Sequence, residues 1–126
     1  MKKEIQTDKA PKPIGPYSQG IMMGKTLFTA GQIAINPETG AVETGDIEKE
    51  TKMVMSHLNA ILQAAGMNFS NVVKCSIFLS DMAHFSTVNE VYGTYFERPY
   101  PVRETVAVKT LPKNVNVEIS AVAMTD

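Results

Sequence analysis

The segment from residue 72 to residue 79 constrains the fold most, because it is apolar on both sides of a strand. Successive side chains of a strand point to opposite faces. Alternation therefore predicts one face with Val73, Cys75, Ile77 and Leu79 and another with Val72 and Phe78. A strand of this kind needs cover on both faces. We predict that it lies inside a sheet.

Two segments predict helices that could supply cover on one face. From residue 46, buried-type residues recur at spacings of three and four, which indicates one helical stripe: Ile47, Thr51, Val54, Leu58, Ile61, Leu62 and Ala65. Asp46 is a suitable N-cap for this helix and Gly66 a suitable C-terminal stop. A second helix is predicted after Ser80-Asp81, ending before Pro99 and Pro101. Its predicted buried side comprises Phe85, Val88, Tyr92, Tyr95 and Phe96.

Shorter strands complete the predicted architecture. Residues 21–23 and 26–29 form a predicted hairpin, and residues 36–40 a turn. Two last strands are predicted over residues 104–109 and 115–123, whereas the proline-containing first 20 residues predict a stiff, extended lead-in. The order is β-β-β-α-β-α-β-β. It predicts a single α+β domain over residues 1–126, in which a mixed sheet carries two helices on one face.

The second face of this sheet has no predicted cover. A chain of 126 residues has no further element to place on it after the two helices. Burial between subunits is the simplest solution, so the sequence predicts an oligomer.

Composition excludes several classes of protein. Lys and Arg number 12 against 13 acidic residues, so no general attraction to nucleic acid or membrane surfaces is expected. The single cysteine, Cys75, excludes an intrachain disulfide. We find neither a secretory signal nor an 18-residue apolar stretch, which makes a cytoplasmic protein the default expectation.

The motifs of cofactor and nucleophile chemistry are also missing. There is no glycine-rich phosphate loop, Gly-x-Ser-x-Gly motif or Cys-x-x-Cys pair. His57 and His84 lack metal-ligand spacing, and we expect both to be ordinary helix residues. Cys75 lies mid-strand and is predicted to be a buried, inert thiol. No metal and no cofactor is expected.

Two charged residues remain as candidates, and each has two interpretations. Glu118 shares a strand face with Asn116 and Ser120. That face is either solvated or oligomer-facing, or it holds a partly desolvated carboxylate suited to activating water. Arg103 follows a proline-stiffened approach. It either forms a structural salt bridge with Glu104 or Glu118, or binds a substrate carboxylate with its planar fork.

A series of short motifs, taken in order, resembles the RidA (YjgF) family of reactive-intermediate deaminases. The resemblance runs almost end to end. Its motifs are Ala10-Pro11, Ile14-Gly15-Pro16-Tyr17-Ser18-Gln19, Thr29-Ala30-Gly31-Gln32-Ile33, Asn36-Pro37-Glu38-Thr39-Gly40, Val88-Asn89, Pro101-Val102-Arg103, Leu111-Pro112-Lys113 and Val117-Glu118-Ile119.

The resemblance implies a chorismate-mutase-like fold and a homotrimer with sites at its subunit interfaces. It implies cofactor-free hydrolysis of 2-imino or enamino acids, of the 2-aminoacrylate and 2-iminobutyrate type, to 2-keto acids and ammonia. Arg103 would hold the substrate carboxylate, and Glu118 would position or activate water. The residues implied to line the pocket are Tyr17, Gly31, Asn89 and Thr105.

Three positions depart from the commonest family pattern. They are Ala30, Glu104 and Thr105. We expect strand alternation to point Glu104 away from Arg103, so the changes bear on substrate range more than on reaction type. Two alternatives stay open: a non-catalytic module that senses small metabolites through the Arg103 pocket, and a chaperone-like interaction trimer.

Overall fold

The computed structural model describes residues 1–126 and contains one sheet and two longer helices. In chain order the elements are β1 Lys2–Ile5, β2 Gly20–Met23, β3 Thr26–Thr29, α1 Ile47–Ala64, β4 Val72–Leu79, α2 Phe85–Gly93, β5 Val102–Ala107 and β6 Val117–Met124. The strands lie in the order β1-β2-β3-β6-β4-β5. Only β4 and β5 pair in parallel. The mixed sheet is confirmed, and three strands precede α1 as in the predicted order, although the first of them lies in the lead-in. Neither helix is long and apolar enough to cross a membrane.

Helix α1 begins and ends as its sequence predicts. The side chain of Asp46 accepts a hydrogen bond from the Lys49 amide at 3.1 Å, and the left-handed Gly66 follows the last turn. Its stripe packs against the sheet, and the largest fully buried side chains of this core include Leu27, Met55, Leu58, Ile61, Ile77 and Ile119. One face of the sheet is therefore covered from within the chain.

The bounds of several elements differ from the prediction. Helix α2 ends at Gly93 rather than just before Pro99, because the Tyr95 and Phe96 amides bond to carbonyls three residues back instead of four. Strand β5 begins at Val102, two residues earlier than predicted. The N-terminal lead-in also contains a strand, β1, at the edge of the sheet.

Strand β4 contains a bulge that the alternation rule did not anticipate. Its register with β6 shifts between Val72 and Lys74, so that Val73 has no partner on β6. The extra residue turns Val72 into the core and leaves Val73 42% exposed. The predicted placement of Val73 beside Cys75 was therefore wrong.

The other face of the sheet stays open in a single chain. Phe28, Val102 and Val106 lie on it and are 49%, 67% and 44% exposed. Glu118 lies on the same face, since it pairs in register with Phe78, on the opposite side from the buried Ile77. The open face is what the expected oligomer would cover.

A buried carboxylate holds the beginning of β6. Glu50, in the first turns of α1, is only 1% exposed. Its Oε2 accepts hydrogen bonds from the Asn116 and Val117 amides at 2.8 and 3.1 Å, and its Oε1 accepts one from Asn116 Nδ2 at 2.9 Å. Asn116 Oδ1 in turn accepts from Ser80 Oγ at 3.1 Å. Glu50 thus ties α1 to the strand that carries Glu118.

We predict that Glu50→Ala lowers the free energy of unfolding by about 3 kcal/mol, because it leaves buried N–H donors without acceptors. The control is Glu48→Ala on the same helix, which removes only an exposed pair with Lys52 at 3.6 Å and should cost well under 1 kcal/mol. Urea unfolding of both variants measures the difference. Equal stability of the two variants would contradict the role of Glu50.

Candidate active site

Glu118 is brought beside Gly31 by a backbone pairing outside the regular strands. The Gln32 amide donates to the Ile119 carbonyl at 2.8 Å, and the Ile119 amide donates to the Gln32 carbonyl at 3.2 Å. A Cβ atom at position 31 would overlap with the Glu118 carboxylate. Glycine leaves room for this close approach, since a side chain at position 31 would displace the Glu118 carboxylate.

A concave space of about 390 Å³ opens next to this pair, and we call it the Glu118 cavity. Its lining includes Pro11, Ile14, Tyr17, Gly31, Ile33, Pro112 and Glu118. The surface of this lining is mostly apolar, and polar atoms come from the Tyr17 hydroxyl, the Glu118 carboxylate and the side chains of Lys12 and Gln32. Small-ligand sites in proteins have this combination of apolar walls and a few polar groups.

Glu118 has no hydrogen-bond donor and no cation close to its carboxylate within the chain. Burial raises its pKa above the ordinary carboxyl value, because desolvation disfavours the charged form. A carboxylate with raised proton affinity is suited to taking a proton from water and returning it to a leaving group. This agrees with the catalytic interpretation of Glu118.

Arg103 lies at the sheet edge and is held by one face of α2. Its Nη1 donates to Asn89 Oδ1 at 2.7 Å. Its Cζ lies 5.0 Å from the ring centroid of Tyr92 and 5.8 Å from that of Phe85. Residues 85, 89 and 92 are spaced by four and three, so they form one helical row. The guanidinium is oriented before any ligand binds, at the margin of a second concave space of about 490 Å³.

No carboxylate pairs with Arg103, so the structural salt bridge to Glu104 or Glu118 is absent. Glu104 instead accepts a hydrogen bond from Ser76 Oγ and lies 3.8 Å from Lys74 Nζ. Both partners extend from the neighbouring strand β4. The expectation that alternation points Glu104 away from Arg103 is confirmed, and the arginine's charge is free for an external anion.

Thr105 follows Arg103 on the same, helix-facing side of β5, in register with Ile77. Its Oγ1 is shielded from solvent and has no hydrogen-bond partner. Burial and the neighbouring Cys75 thiol raise the pKa of the Tyr92 hydroxyl, which is therefore not counted as free. The Thr105 hydroxyl is available to a ligand or water that reaches it after a small side-chain rotation.

Cys75 and His57 have surroundings that indicate structural rather than catalytic roles. Cys75 is 1% exposed, and burial raises the pKa of its thiol to about 11, as expected for an inert cysteine. His57 is buried in α1 with its Nε2 2.9 Å from the Ile35 carbonyl, and burial lowers its pKa. No cluster of three His, Cys, Asp or Glu side chains has metal-binding geometry.

The predicted site residues fall into two groups on opposite faces of the sheet. Tyr17, Gly31 and Glu118 line one cavity, and Asn89 and Arg103 line the other. On β4, Glu118 pairs with position 78 and Arg103 with position 75. These positions differ by an odd number, so the two side chains point to opposite faces. A single chain does not bring Arg103 and Glu118 together.

Sequence reasoning missed two residues that line these cavities, Tyr92 and Gln19, and the contact of Phe85 with Arg103. Phe85 and Tyr92 were predicted on the buried side of α2, where Tyr92 does lie, but their spacing from Asn89 could also have indicated a shared helical row. Gln19 is 1% exposed and lines the Glu118 cavity. No periodicity in the Gly- and Pro-containing lead-in distinguishes it from a surface glutamine.

Comparison with known families and proteins gives consistent matches over the whole chain. The family described as Endoribonuclease L-PSP matches residues 7–125. A RutC family protein of Pyrococcus horikoshii is 50% identical over 123 residues, covering 98% of each chain. The 2-iminobutanoate/2-iminopropanoate deaminase of Mus musculus is 43% identical over 124 residues, covering 98% of this chain and 92% of the mouse protein.

Solved structures agree with the fold. A putative endoribonuclease from Thermotoga maritima superposes with a TM-score of 0.97 at 48% identity, covering 100% of this chain and 99% of the other. E. coli TdcF with bound serine superposes with a TM-score of 0.93 at 38% identity, covering 98% and 99% of the two chains. The expected α+β fold is confirmed, and the chain belongs to the RidA (YjgF) family.

Proposed function

We propose that this protein hydrolyses reactive 2-imino and 2-enamino acids to 2-keto acids and ammonia. The observation that carries the proposal is a pair of preoriented, uncompensated groups: Arg103, which no carboxylate neutralises, and Glu118, which burial makes a better proton acceptor. Relatives named as 2-iminobutanoate/2-iminopropanoate deaminases support the assignment. The family match spans almost the whole chain, which supports treating residues 1–126 as one catalytic domain.

Arg103 anchors the substrate carboxylate in this proposal. Asn89 occupies one N–H group of the guanidinium, which leaves the other donors for a bidentate pair with the two carboxylate oxygens. The rings of Tyr92 and Phe85 limit the rotation of the side chain. Thr105 adds a hydroxyl without a partner next to the anchor. These contacts fix the imine carbon relative to the rest of the site.

Glu118 then directs water to that carbon. It accepts a proton as the water oxygen forms its bond to C2 of the iminium, which gives a carbinolamine. Returning this proton to the amino nitrogen lets the C–N bond break, so that ammonia leaves, and the C2 hydroxyl gives its own proton to Glu118 as it becomes the keto group. An enamine first takes a proton at its terminal carbon to become an imine. Imines hydrolyse in water unaided, so orientation and one acid–base group supply sufficient acceleration.

Each site is shared between two copies of the chain in this proposal, with a homotrimer as the assembly. Support comes from the placement of Arg103 and Glu118 on opposite faces, and from the exposed apolar residues Phe28 and Val106 on the same face as Glu118. Covering that face would bury these residues and bring a second copy's arginine towards the Glu118 cavity.

We place the reaction in the cytoplasm, where pyridoxal-phosphate enzymes that dehydrate serine or threonine release such imines.

A sensor of amino or keto acids is the second candidate. The observation in its favour is the bound serine in the TdcF structure, since serine is not an imine. A carboxylate sensor needs Arg103 but not the proton-transfer group of Glu118.

An endoribonuclease activity, which the family description names, has less support here, because the formal net charge of -1 offers no general attraction for RNA.

Arg103→Ala should reduce catalytic efficiency on 2-iminobutyrate by roughly 30- to several-thousand-fold, since a charge-assisted pair is lost, at a cost of ~2–5 kcal/mol. Arg103→Lys should restore only part of it, because an ammonium cannot form the bidentate fork. Arg98→Ala is the matched control, as Arg98 is also exposed and lies 5.3 Å from a tyrosine ring. The measurement couples a threonine dehydratase to the protein and follows keto-acid release. Full activity of Arg103→Ala would refute the anchoring role.

Glu118→Gln separates the enzyme from the sensor. Turnover should fall ~10²–10⁴-fold with loss of the acid–base group, whereas product binding through Arg103 should persist.

Burial raises the folded-state pKa of Glu118, so ionisation destabilises the native protein as pH rises through that value. The variant should therefore be slightly more stable than wild type at pH 7, by at most ~1 kcal/mol for a half-exposed group, and equal to it in acid. Wild-type turnover by the variant would place water activation elsewhere.

A further inference from the structure

The Glu118 cavity has one wall that does not belong to the sheet. Residues 6–18, which we call the N-terminal strap, connect β1 to β2. Pro11, Lys12, Ile14 and Tyr17 of the strap line the cavity opposite Gly31 and Glu118. The shape of the cavity therefore depends on what holds the strap in place.

A single buried side chain supplies the hydrogen bonds between this strap and the rest of the protein. Gln19 Oε1 accepts from the Thr7 amide at 2.7 Å. Its Nε2 lies 3.0 Å from the Thr7 carbonyl, 3.2 Å from the Ala10 carbonyl and 2.9 Å from the Pro11 carbonyl, and donates to them. The other hydrogen bonds of the strap are local, such as the Lys9 amide to Thr7 Oγ1 at 3.2 Å.

Gln19 is itself fixed to the sheet. Its carbonyl accepts from the Ala30 amide at 2.9 Å, in the residue before Gly31. The side chain is 1% exposed, and a primary amide is the group that both donates to carbonyls and accepts from an amide at one point. Gln19 thus links the two cavity walls, the strap on one side and the segment around Gly31 on the other.

We propose that Gln19 is a positioning residue that sets the width of the Glu118 cavity by pinning the strap, and so controls substrate binding rather than the chemical step. The proposal rests on the function proposed above. Gln19 lines the cavity, but its amide is turned to the strap backbone, so it acts through Pro11, Ile14 and Tyr17. Glu118 and Gly31 are not part of the strap, so the groups that carry out hydrolysis stay in place when the strap loosens.

The variant that tests this is Gln19→Met, which keeps the length of the side chain and removes its hydrogen bonds. The matched control is Gln63→Met on the exposed side of α1. We expect KM for 2-iminobutyrate to rise about fivefold in Gln19→Met with kcat within about twofold of wild type. The affinity for 2-oxobutanoate, measured by calorimetry, should fall by a similar factor. Gln63→Met should change neither quantity.

Limited trypsin digestion shows whether the strap opens, and it does not require the protein to be enzymatically active. Lys9 precedes the buried Ala10, and cleavage after it requires this part of the strap to open. We expect cleavage at Lys9 to be about tenfold faster in Gln19→Met than in wild type or Gln63→Met. Unchanged cleavage would overturn the pinning role. Faster cleavage with unchanged KM and product affinity would overturn the positioning role.

A measurement on the wild-type protein covers the case in which Gln19→Met does not fold. The Thr7 amide donates to Gln19, whereas the neighbouring Asp8 amide has no acceptor. Hydrogen exchange followed by NMR should therefore show protection at Thr7 and not at Asp8. Equal exchange at both would contradict the proposal. Because exchange, digestion and product binding need no turnover, an inactive wild-type protein would refute the proposed reaction while these tests still decide on Gln19.

Discussion

The registers of β4 with its two neighbours determine where the charged residues of this protein can act. Strand β4 lies between β6, which carries Glu118, and β5, which carries Arg103. The two residues pair with positions 78 and 75 of β4, and side chains at an odd separation face opposite ways. A change of one residue in either register would put both on one face. The observed registers separate the arginine from the carboxylate within one chain, and in the proposed oligomer two copies would bring them together.

Within one chain, this separation leaves both groups without a charged partner. Instead α2 holds Arg103 through Asn89 and two aromatic rings, and Glu118 lies in a largely apolar cavity. Buried side chains bond to both surroundings: Glu50 accepts from the amides at the start of β6, and Gln19 accepts from the backbone of the strap. Preorganised charged groups of this kind do not need to rearrange during reaction.

The sequence predicted those parts of the fold that depend on local signals. Helix α1 was predicted at both ends, since its cap, its apolar spacing and its terminal glycine all lie within the helix or next to it. The bulge at Val73 was not predictable, because it depends on how β4 pairs with β6. The roles of Glu50 and Gln19 were not predicted for a related reason. The hydrogen-bond partners of Glu50 lie 66 or more residues away in the sequence, and those of Gln19 lie up to 12 residues away. Position in the predicted strands made Arg103 and Glu118 candidates, and the motif resemblance implied a role for each, whereas only the sheet registers revealed that the two side chains face apart.

Mixing two inactive variants tests the shared site most directly. Arg103→Ala and Glu118→Gln chains, differently tagged, would be coexpressed at equal levels, and the mixed oligomers purified and assayed for keto-acid release. If each site takes Arg103 from one copy and Glu118 from another, one of the three sites in every mixed trimer has both residues. The account therefore predicts that the purified mixed trimers regain about a third of wild-type activity, although each variant alone has little. Mixed oligomers as inactive as the separate variants would show that both residues act within one chain, and would contradict the account.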